Sequence, residues 1–226
     1  MPTAHVAERL RAVKTADLYD VLDGMGYPHQ CLDLAIRPLA PEMRVAGPAF
    51  TILGTREPRF GEALPIPEID HFALFDQIYP GCVVVINAEG DRLAGHWGEM
   101  MSYGARNAGA VGVVIDGGTR DRAGILAIEG WACFARYTSP IESEKRWRPK
   151  ELQVPIYMTG TTTSTVRVNP GDWIVGDGDG VLVIPQGILG SVLSAVTDVA
   201  ERERLSVEAL ARGESLKEVF AKYHRA

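Results

Sequence analysis

The chain has 226 residues, 46% of them hydrophobic and 23% charged, with a formal net charge of −6. That length and apolar content support one substantial core that needs neither disulfides nor a structural metal. The acidic balance argues against nucleic acid as a direct ligand, because binding phosphate backbones takes clustered Lys and Arg. The most basic stretch, Glu144-Lys145-Arg146-Trp147-Arg148-Pro149-Lys150, reads as a solvated loop rather than an anion-binding site.

Three cysteines, Cys31, Cys82 and Cys133, lie far apart with no CxxC pair, which suits a reducing compartment better than a disulfide framework. The first residues lack the apolar core of a signal peptide, and the longest apolar runs fall far short of the ~20 residues of a membrane-spanning helix. A cytoplasmic protein away from membranes is the expectation.

In chain order, residues 3–26 read as two helical pieces. Thr15 is the expected N-cap of the second, whose stripe Leu18, Val21, Leu22 and Met25 ends at Gly24 and Gly26. Arg44 to Leu53 is strand-like around a Gly47-Pro48 interruption, and the Pro- and Glu-rich region 56–70 reads as an exposed loop. A helix is expected over Ile69 to Gln77. Pro80-Gly81 then opens the β-branched run Cys82 to Asn87, a strand buried on both faces. Gly98 to Ala108 reads as a helix stopped by Gly109. Val111 to Asp116 is a second buried run, expected to break at Gly117-Gly118. Strand, helix and strand within about 35 residues is the βαβ pattern of a parallel pair.

Short strands follow at Val154–Met158, Thr165–Val168, Trp173–Gly176 and Gly180–Ile184, with a turn at Asn169-Pro170-Gly171-Asp172. A helix covers residues 186–212, and Ser215 with Glu218 forms a capping box for a last one. No repeat or low-complexity tract interrupts this layout. It predicts one mixed α/β domain over residues 1–226, closed by C-terminal helices over 186–226.

The βαβ unit carries the chemistry. In a right-handed crossover, the loops after both strands emerge at one edge of the sheet. The first loop delivers Glu99 at a helix start, and the second delivers Arg120 and Asp121, so the three converge. Free N–H groups near Met100 and Met101 attract carboxylates. Arg120 suits a carboxylate, a carbonyl oxygen or a developing enolate. Asp121 is a hard oxygen ligand for Mg²⁺ or Mn²⁺, an ion that would polarise a 2-oxo group. Glu99 would hold or relay a water. Taken alone, an acidic residue at a helix start also serves the macrodipole, and Arg-Asp also makes a local ion pair.

Other residues point away from competing chemistries. His29, His71 and His224 lack metal-ligand spacing, and His96, beside Trp97 just before Gly98, reads as a surface or packing residue rather than one that reaches the site. Gly176-Asp177-Gly178-Asp179-Gly180 lacks the remaining ligands of a calcium loop and reads as a turn. Ser139 and Ser143 sit in no nucleophile elbow, and no G-x-G-x-x-G follows a strand.

The stretch Gly98-Glu99-Met100-Met101, then Ala108-x-Ala110-x-Gly112-Val113-Val114-Ile115-Asp116-Gly117, then Thr119-Arg120-Asp121, resembles a known family. It is similar to the RraA-like family, which unites 4-hydroxy-4-methyl-2-oxoglutarate aldolases with regulators of ribonuclease E activity. The family mark is an acidic residue, 20 intervening positions and Arg-Asp; Glu99 stands here where many members carry Asp. Thr15-Ala16 with Asp20-Val21-Leu22, Arg44 to Thr51, and Pro170-Gly171-Asp172 with Asp179-Gly180-Val181 extend the resemblance over most of the chain.

The resemblance implies a β/β/α swivelling-type sandwich, assembled as a homotrimer or hexamer with sites between protomers. It implies retro-aldol cleavage of a 4-hydroxy-2-oxo acid to pyruvate, with oxaloacetate decarboxylation as a companion activity through the same enolate. Arg120 would bind the pyruvate unit, Asp121 would ligate Mg²⁺ or Mn²⁺, and Glu99 would hold the ion's waters. Gly98, Met100 and Met101 would line the substrate site, the two Met amides facing its carboxylate. Glu203 of a neighbouring protomer, or else Glu201, would approach the metal. The rival function is that of a non-catalytic regulator that binds and inhibits a ribonuclease. The chain departs from the family pattern at Arg56–Pro67, at Tyr137–Lys150 and at Gly160-Thr161-Thr162-Thr163-Ser164. The first two would shape a substrate pocket, and the third leaves the acyl partner open.

Overall fold

A computed structural model describes residues 2–56 and 71–223. The expected loop at 56–70 and the insertion ending at Pro67 therefore lie almost wholly outside the described residues, as does His224. The apolar runs form the middle of the molecule. Strands β1 (Arg37–Pro38), β2 (Val45–Arg56), β3 (Val83–Asn87), β4 (Gly112–Thr119), β5 (Ala132–Thr138) and β6 (Trp147–Leu152) belong to the main sheet, with β9 (Trp173–Asp177) and β10 (Gly180–Ile184). The order is β1-β5-β4-β3-β2-β9-β10, with β6 also on β2. Strands β2 to β5 run parallel. A separate hairpin joins β7 (Ile156–Thr159) to β8 (Thr165–Val168).

Both faces of β3 and β4 are covered, which is why their sequences do not alternate. Val84, Ile86, Val113 and Ile115 face one cluster with Phe50, Leu74, Ala105 and Ile125. Val83, Val85 and Val114 face another, with Phe134, Val181, Val183 and the β7–β8 residues Ile156 and Val166. Each such aliphatic side chain contributes about 1.5–3 kcal/mol on leaving water. The sheet curls until β10 approaches β1. Leu32 donates its amide to Val181 at 2.9 Å, and the Arg37 guanidinium donates to the Gly178 and Asp179 carbonyls at 3.0 and 2.7 Å.

The outer face of β9 and β10 is covered by helices α1 (Thr3–Arg11), α2 (Thr15–Gly24) and α6 (Leu189–Ala211). The remaining helices are α3 (His71–Gln77), α4 (Glu99–Asn107), α5 (Arg122–Leu126) and α7 (Leu216–Tyr223). The capping box of α7 forms: Glu218 N donates to Ser215 Oγ at 3.3 Å, and Ser215 N to Glu218 Oε2 at 3.0 Å. No helix among the described residues is long and apolar enough to cross a membrane.

Several expectations change. Thr15 is not the cap of α2 but its first residue. The cap comes from Asp177 at the β9–β10 turn, whose Oδ2 accepts from Thr15 N at 2.9 Å and whose Oδ1 accepts from Thr15 Oγ1 at 2.6 Å. The Gly176-to-Gly180 segment is thus a hairpin turn, as expected, with a second use. Strand β4 does not break at Gly117-Gly118 but runs on to Thr119 across a bulge against β5. The Glu144-to-Lys150 stretch is a solvated loop only at its start: Glu144 and Lys145 are exposed in a turn, but Trp147 and Arg148 are buried in β6, which pairs antiparallel with β2. Its Pro149 is tolerated there as edge strands allow.

Candidate active site

The loop from β3 to α4 does not hang free. His96 N donates to Gly118 O, and Arg120 N to Trp97 O, both at 2.9 Å, so residues 95–97 zip along the end of β4. On its other side Gly95 N donates to Ile141 O at 2.8 Å. That three-strand stitch places the start of α4, the residues after β4 and the segment around Glu142 side by side. Inside it, the Thr119 hydroxyl donates to Trp97 O at 2.7 Å, and the Trp97 indole donates to Ser102 Oγ at 3.0 Å.

Asp121 adopts a left-handed backbone (φ 57°, ψ 40°), a conformation Asp tolerates better than most residues. It aims the carboxylate back at α4. Asp121 Oδ2 accepts from Glu99 N at 3.3 Å and lies 3.3 Å from Arg120 Nε. Arg120 Nη1 lies 3.2 Å from Glu142 Oε1. The guanidinium therefore sits between two carboxylates, all three side chains about a third or more exposed. Two glycines make room. A Cβ on Gly98 would fall 2.6 Å from Asp121 Oδ2, and one on Gly124 would fall 2.0 Å from Glu99 Oε2.

These groups open onto a cavity of about 780 Å³. Gly98, Met100, Met101, Arg120 and Asp121 line it. The Glu99 carboxylate is not part of that lining; it rests against Gly124, and only its amide meets Asp121. The amides of Met100 and Met101, in the first turn of α4, have no acceptor among the described residues. Glu203 stands apart on α6, 3.2 Å from Lys14 Nζ, and Glu201 is paired with Arg204 at 2.7 Å.

His96 is buried and lines the same cavity. Its Nδ1 accepts from Gly118 N at 3.1 Å, so Nε2 carries the proton and donates to Asp91 Oδ2 at 3.0 Å. Burial lowers its pKa against the pull of Asp91, which keeps the imidazole neutral near pH 7. Its ring stands edge-on to Trp147, with centroids 4.9 Å apart. His96 is thus a packed residue, not a surface one, and it also reaches the cavity.

Sequence reasoning missed Glu142, Trp147 and Arg148 as individuals. They fall in the Tyr137–Lys150 segment, whose departure from the family pattern was the available signal. The Gly160-to-Ser164 departure turns the β7–β8 hairpin, tied down by the Thr161 hydroxyl on Leu32 O and the Thr162 hydroxyl on Pro28 O. It contributes nothing to the cavity.

The arrangement is an oxygen-rich, cation-bearing cleft at a helix start, suited to a small oxo acid and a hard divalent ion. Asp121 fits such an ion because its carboxylate is exposed and, among the described residues, meets the Glu99 amide and Arg120 alone. Among the described residues no three His, Cys, Asp or Glu side chains cluster as a closed metal cage. A partly hydrated ion needs only one or two carboxylates.

Known proteins narrow this further. A protein of Halalkalibacterium halodurans named "putative 4-hydroxy-4-methyl-2-oxoglutarate aldolase" is 33% identical over 188 residues, covering 82% of this chain and 79% of its own. A crystal structure of an uncharacterized protein from Pseudomonas syringae superposes with a TM-score of 0.80 at 27% identity, over 96% of both chains. Streptomyces coelicolor RraAS2, described as an unusual member of the RNase ES inhibitor RraA protein family, superposes with a TM-score of 0.75 at 26% identity, over 91% of this chain and 96% of its own. The RraA-like model, described as Aldolase/RraA, matches residues 15–183, and with the shared fold this establishes that the chain belongs to the RraA-like family.

Proposed function

We propose that this chain is a divalent-metal-dependent lyase that cleaves a 4-hydroxy-2-oxo acid to pyruvate and a second carbonyl compound. The observation that carries the reading is the presentation of Arg120 and Asp121 on one cavity, beside the two acceptor-free amides of α4. Asp121, with Glu142 opposite it on Arg120, would hold Mg²⁺ or Mn²⁺, which when bound supplies Lewis-acid polarisation of the 2-oxo group. The substrate carboxylate takes the amides of Met100 and Met101. Arg120, released from Glu142, turns its charge to the oxygen that becomes the enolate.

Cleavage breaks the C3–C4 bond. The C4 hydroxyl gives its proton to a water held at Glu99 and becomes a carbonyl, and the electron pair passes into the pyruvate enolate. The enolate regains a proton at C3, so atoms and charge balance. Glu99, against Gly124, holds the water that carries that proton. Oxaloacetate loses CO₂ through the same enolate, so decarboxylation accompanies the aldol reaction.

Pyruvate release from 4-hydroxy-4-methyl-2-oxoglutarate and from oxaloacetate, with Mg²⁺ and with EDTA, tests the proposal. Turnover should require the metal and vanish in Arg120→Ala and Asp121→Ala; full activity in either variant would sink the assignment. The likeness to the Streptomyces coelicolor RNase ES inhibitor relative favours a second reading, a ribonuclease regulator. Folded protein that inhibits a ribonuclease yet releases no pyruvate would select that reading.

A further inference from the structure

Beside the main cavity lies a second depression of about 570 Å³ that shares Lys145 with it. Its lining gathers Arg56, Arg92, Lys145 and Arg146 around a single carboxylate, Asp91. Asp91 is buried and turned inward: its Oδ2 accepts from His96 Nε2 at 3.0 Å, Ala94 N at 3.1 Å and Leu93 N at 3.3 Å. The Arg56 guanidinium donates to the Gly90 carbonyl, and Arg146 Nη1 donates to the Glu142 and Glu144 carbonyls at 3.3 and 3.2 Å. None of the four cations makes an ion pair among the described residues. Four cations against one carboxylate on one concave surface leave an excess of positive charge, and a multiply charged anion relieves their mutual repulsion.

We propose that this depression seats a phosphate monoester, the distal end of an elongated substrate whose 2-oxo acid end lies at Arg120. The inference rests on the lyase reading for that end. A phosphate monoester carries close to two negative charges at neutral pH and three acceptor oxygens, which suits several Lys and Arg donors better than a single carboxylate does. The two cavities adjoin at Lys145, which lines both, and the proposal has one extended ligand reach from one to the other past that side chain. Cleavage then gives pyruvate and a phosphorylated aldehyde, and the phosphoester bond is untouched.

Two measurements on the full-length protein test this. In the condensation direction, with Mg²⁺ and pyruvate, glycolaldehyde phosphate is compared with glycolaldehyde. The wild type should favour the phosphorylated aldehyde at least 10-fold in kcat/KM. Arg92→Ser should erase that preference through KM while leaving glycolaldehyde unchanged, and Arg92→Lys should restore part of it. Separately, calorimetric titration with glycerol 3-phosphate should show binding that weakens at least 10-fold in Arg92→Ser, with glycerol itself inert. Arg92-dependent binding of glycerol 3-phosphate without any preference between the aldehydes would overturn the substrate assignment and leave a site for a free phosphorylated effector. Absence of binding would overturn the site altogether. If neither aldehyde condenses, the lyase reading fails and the substrate assignment falls with it; the titration then decides only whether an anion site exists.

Discussion

Replacing Asp177 by alanine should destabilise the fold by about 3–4 kcal/mol. The carboxylate is buried in the β9–β10 turn and accepts short hydrogen bonds from Thr15 N at 2.9 Å, Thr15 Oγ1 at 2.6 Å and Asp179 N at 2.9 Å, with a longer one from Arg44. Arg44 Nη2 stands 3.4 Å away. Loss of a helix cap costs about 1 kcal/mol, and a hydrogen bond to a charged acceptor about 1.5–3 kcal/mol. Water reaching the vacated site returns part of that sum, which sets the figure. Urea unfolding at fixed protein concentration should report it, and a fall in Tm of roughly 10 °C should accompany it. Asp177→Asn keeps one acceptor oxygen and should lose about half as much.

The pH dependence has a definite sign. Burial alone would raise the Asp177 pKa, but the Thr15 and Asp179 donors and Arg44 outweigh it and hold it below the usual aspartate value. A lowered folded-state pKa contributes stability that is complete above the unfolded value, about 4, and is lost as pH falls through the folded one. The gap between wild type and Asp177→Ala should therefore be constant from pH 8 to 5 and shrink in stronger acid. A difference below 1 kcal/mol at pH 7, or one that grows as pH falls, would refute the tertiary cap.

Other outcomes follow from the site. Arg120→Lys keeps the charge but not the planar fork, and should lower kcat/KM for pyruvate release at least 100-fold, about 2.7 kcal/mol, with unfolding unchanged. In Gly124→Ala the new Cβ would meet Glu99 Oε2 at 2.0 Å, and that flexible carboxylate can swing away. Stability should stay within about 1 kcal/mol, while turnover falls if Glu99 moves the proton. Burial pushes the Cys82 and Cys133 thiols up to about 11 and about 12, and raises that of the half-buried Cys31. Native iodoacetamide labelling at pH 8, read by mass spectrometry, should reach Cys31 alone, and slowly.

The layout was legible wherever a local pattern had a single physical meaning. The run Cys82 to Asn87 could only be a strand buried on both sides, and Ser215 with Glu218 could only cap α7. Strand β5 was invisible because Ala132–Thr138 mixes a buried start with Arg136 and Tyr137. Arg136 is accommodated by Asp116 at 2.5 Å and Asp33 at 3.3 Å, both distant in sequence. Strand β6 was invisible for a related reason: its charged residues are paired by the far end of β2, not by any local period.

The sequence by itself determined the βαβ unit, the family resemblance and the convergence of Glu99, Arg120 and Asp121 at one sheet edge. Those follow from chain direction and from the handedness of a single crossover. Only the tertiary structure decided that Asp177 caps α2, that Glu142 faces Arg120, that the Glu99 carboxylate lies over Gly124, and that Arg56, Arg92 and Arg146 gather beside Lys145. These contacts join segments brought together by sheet curvature and by the stitch at Gly95. Their energies depend on distances between remote residues, and no local window of the chain encodes such distances.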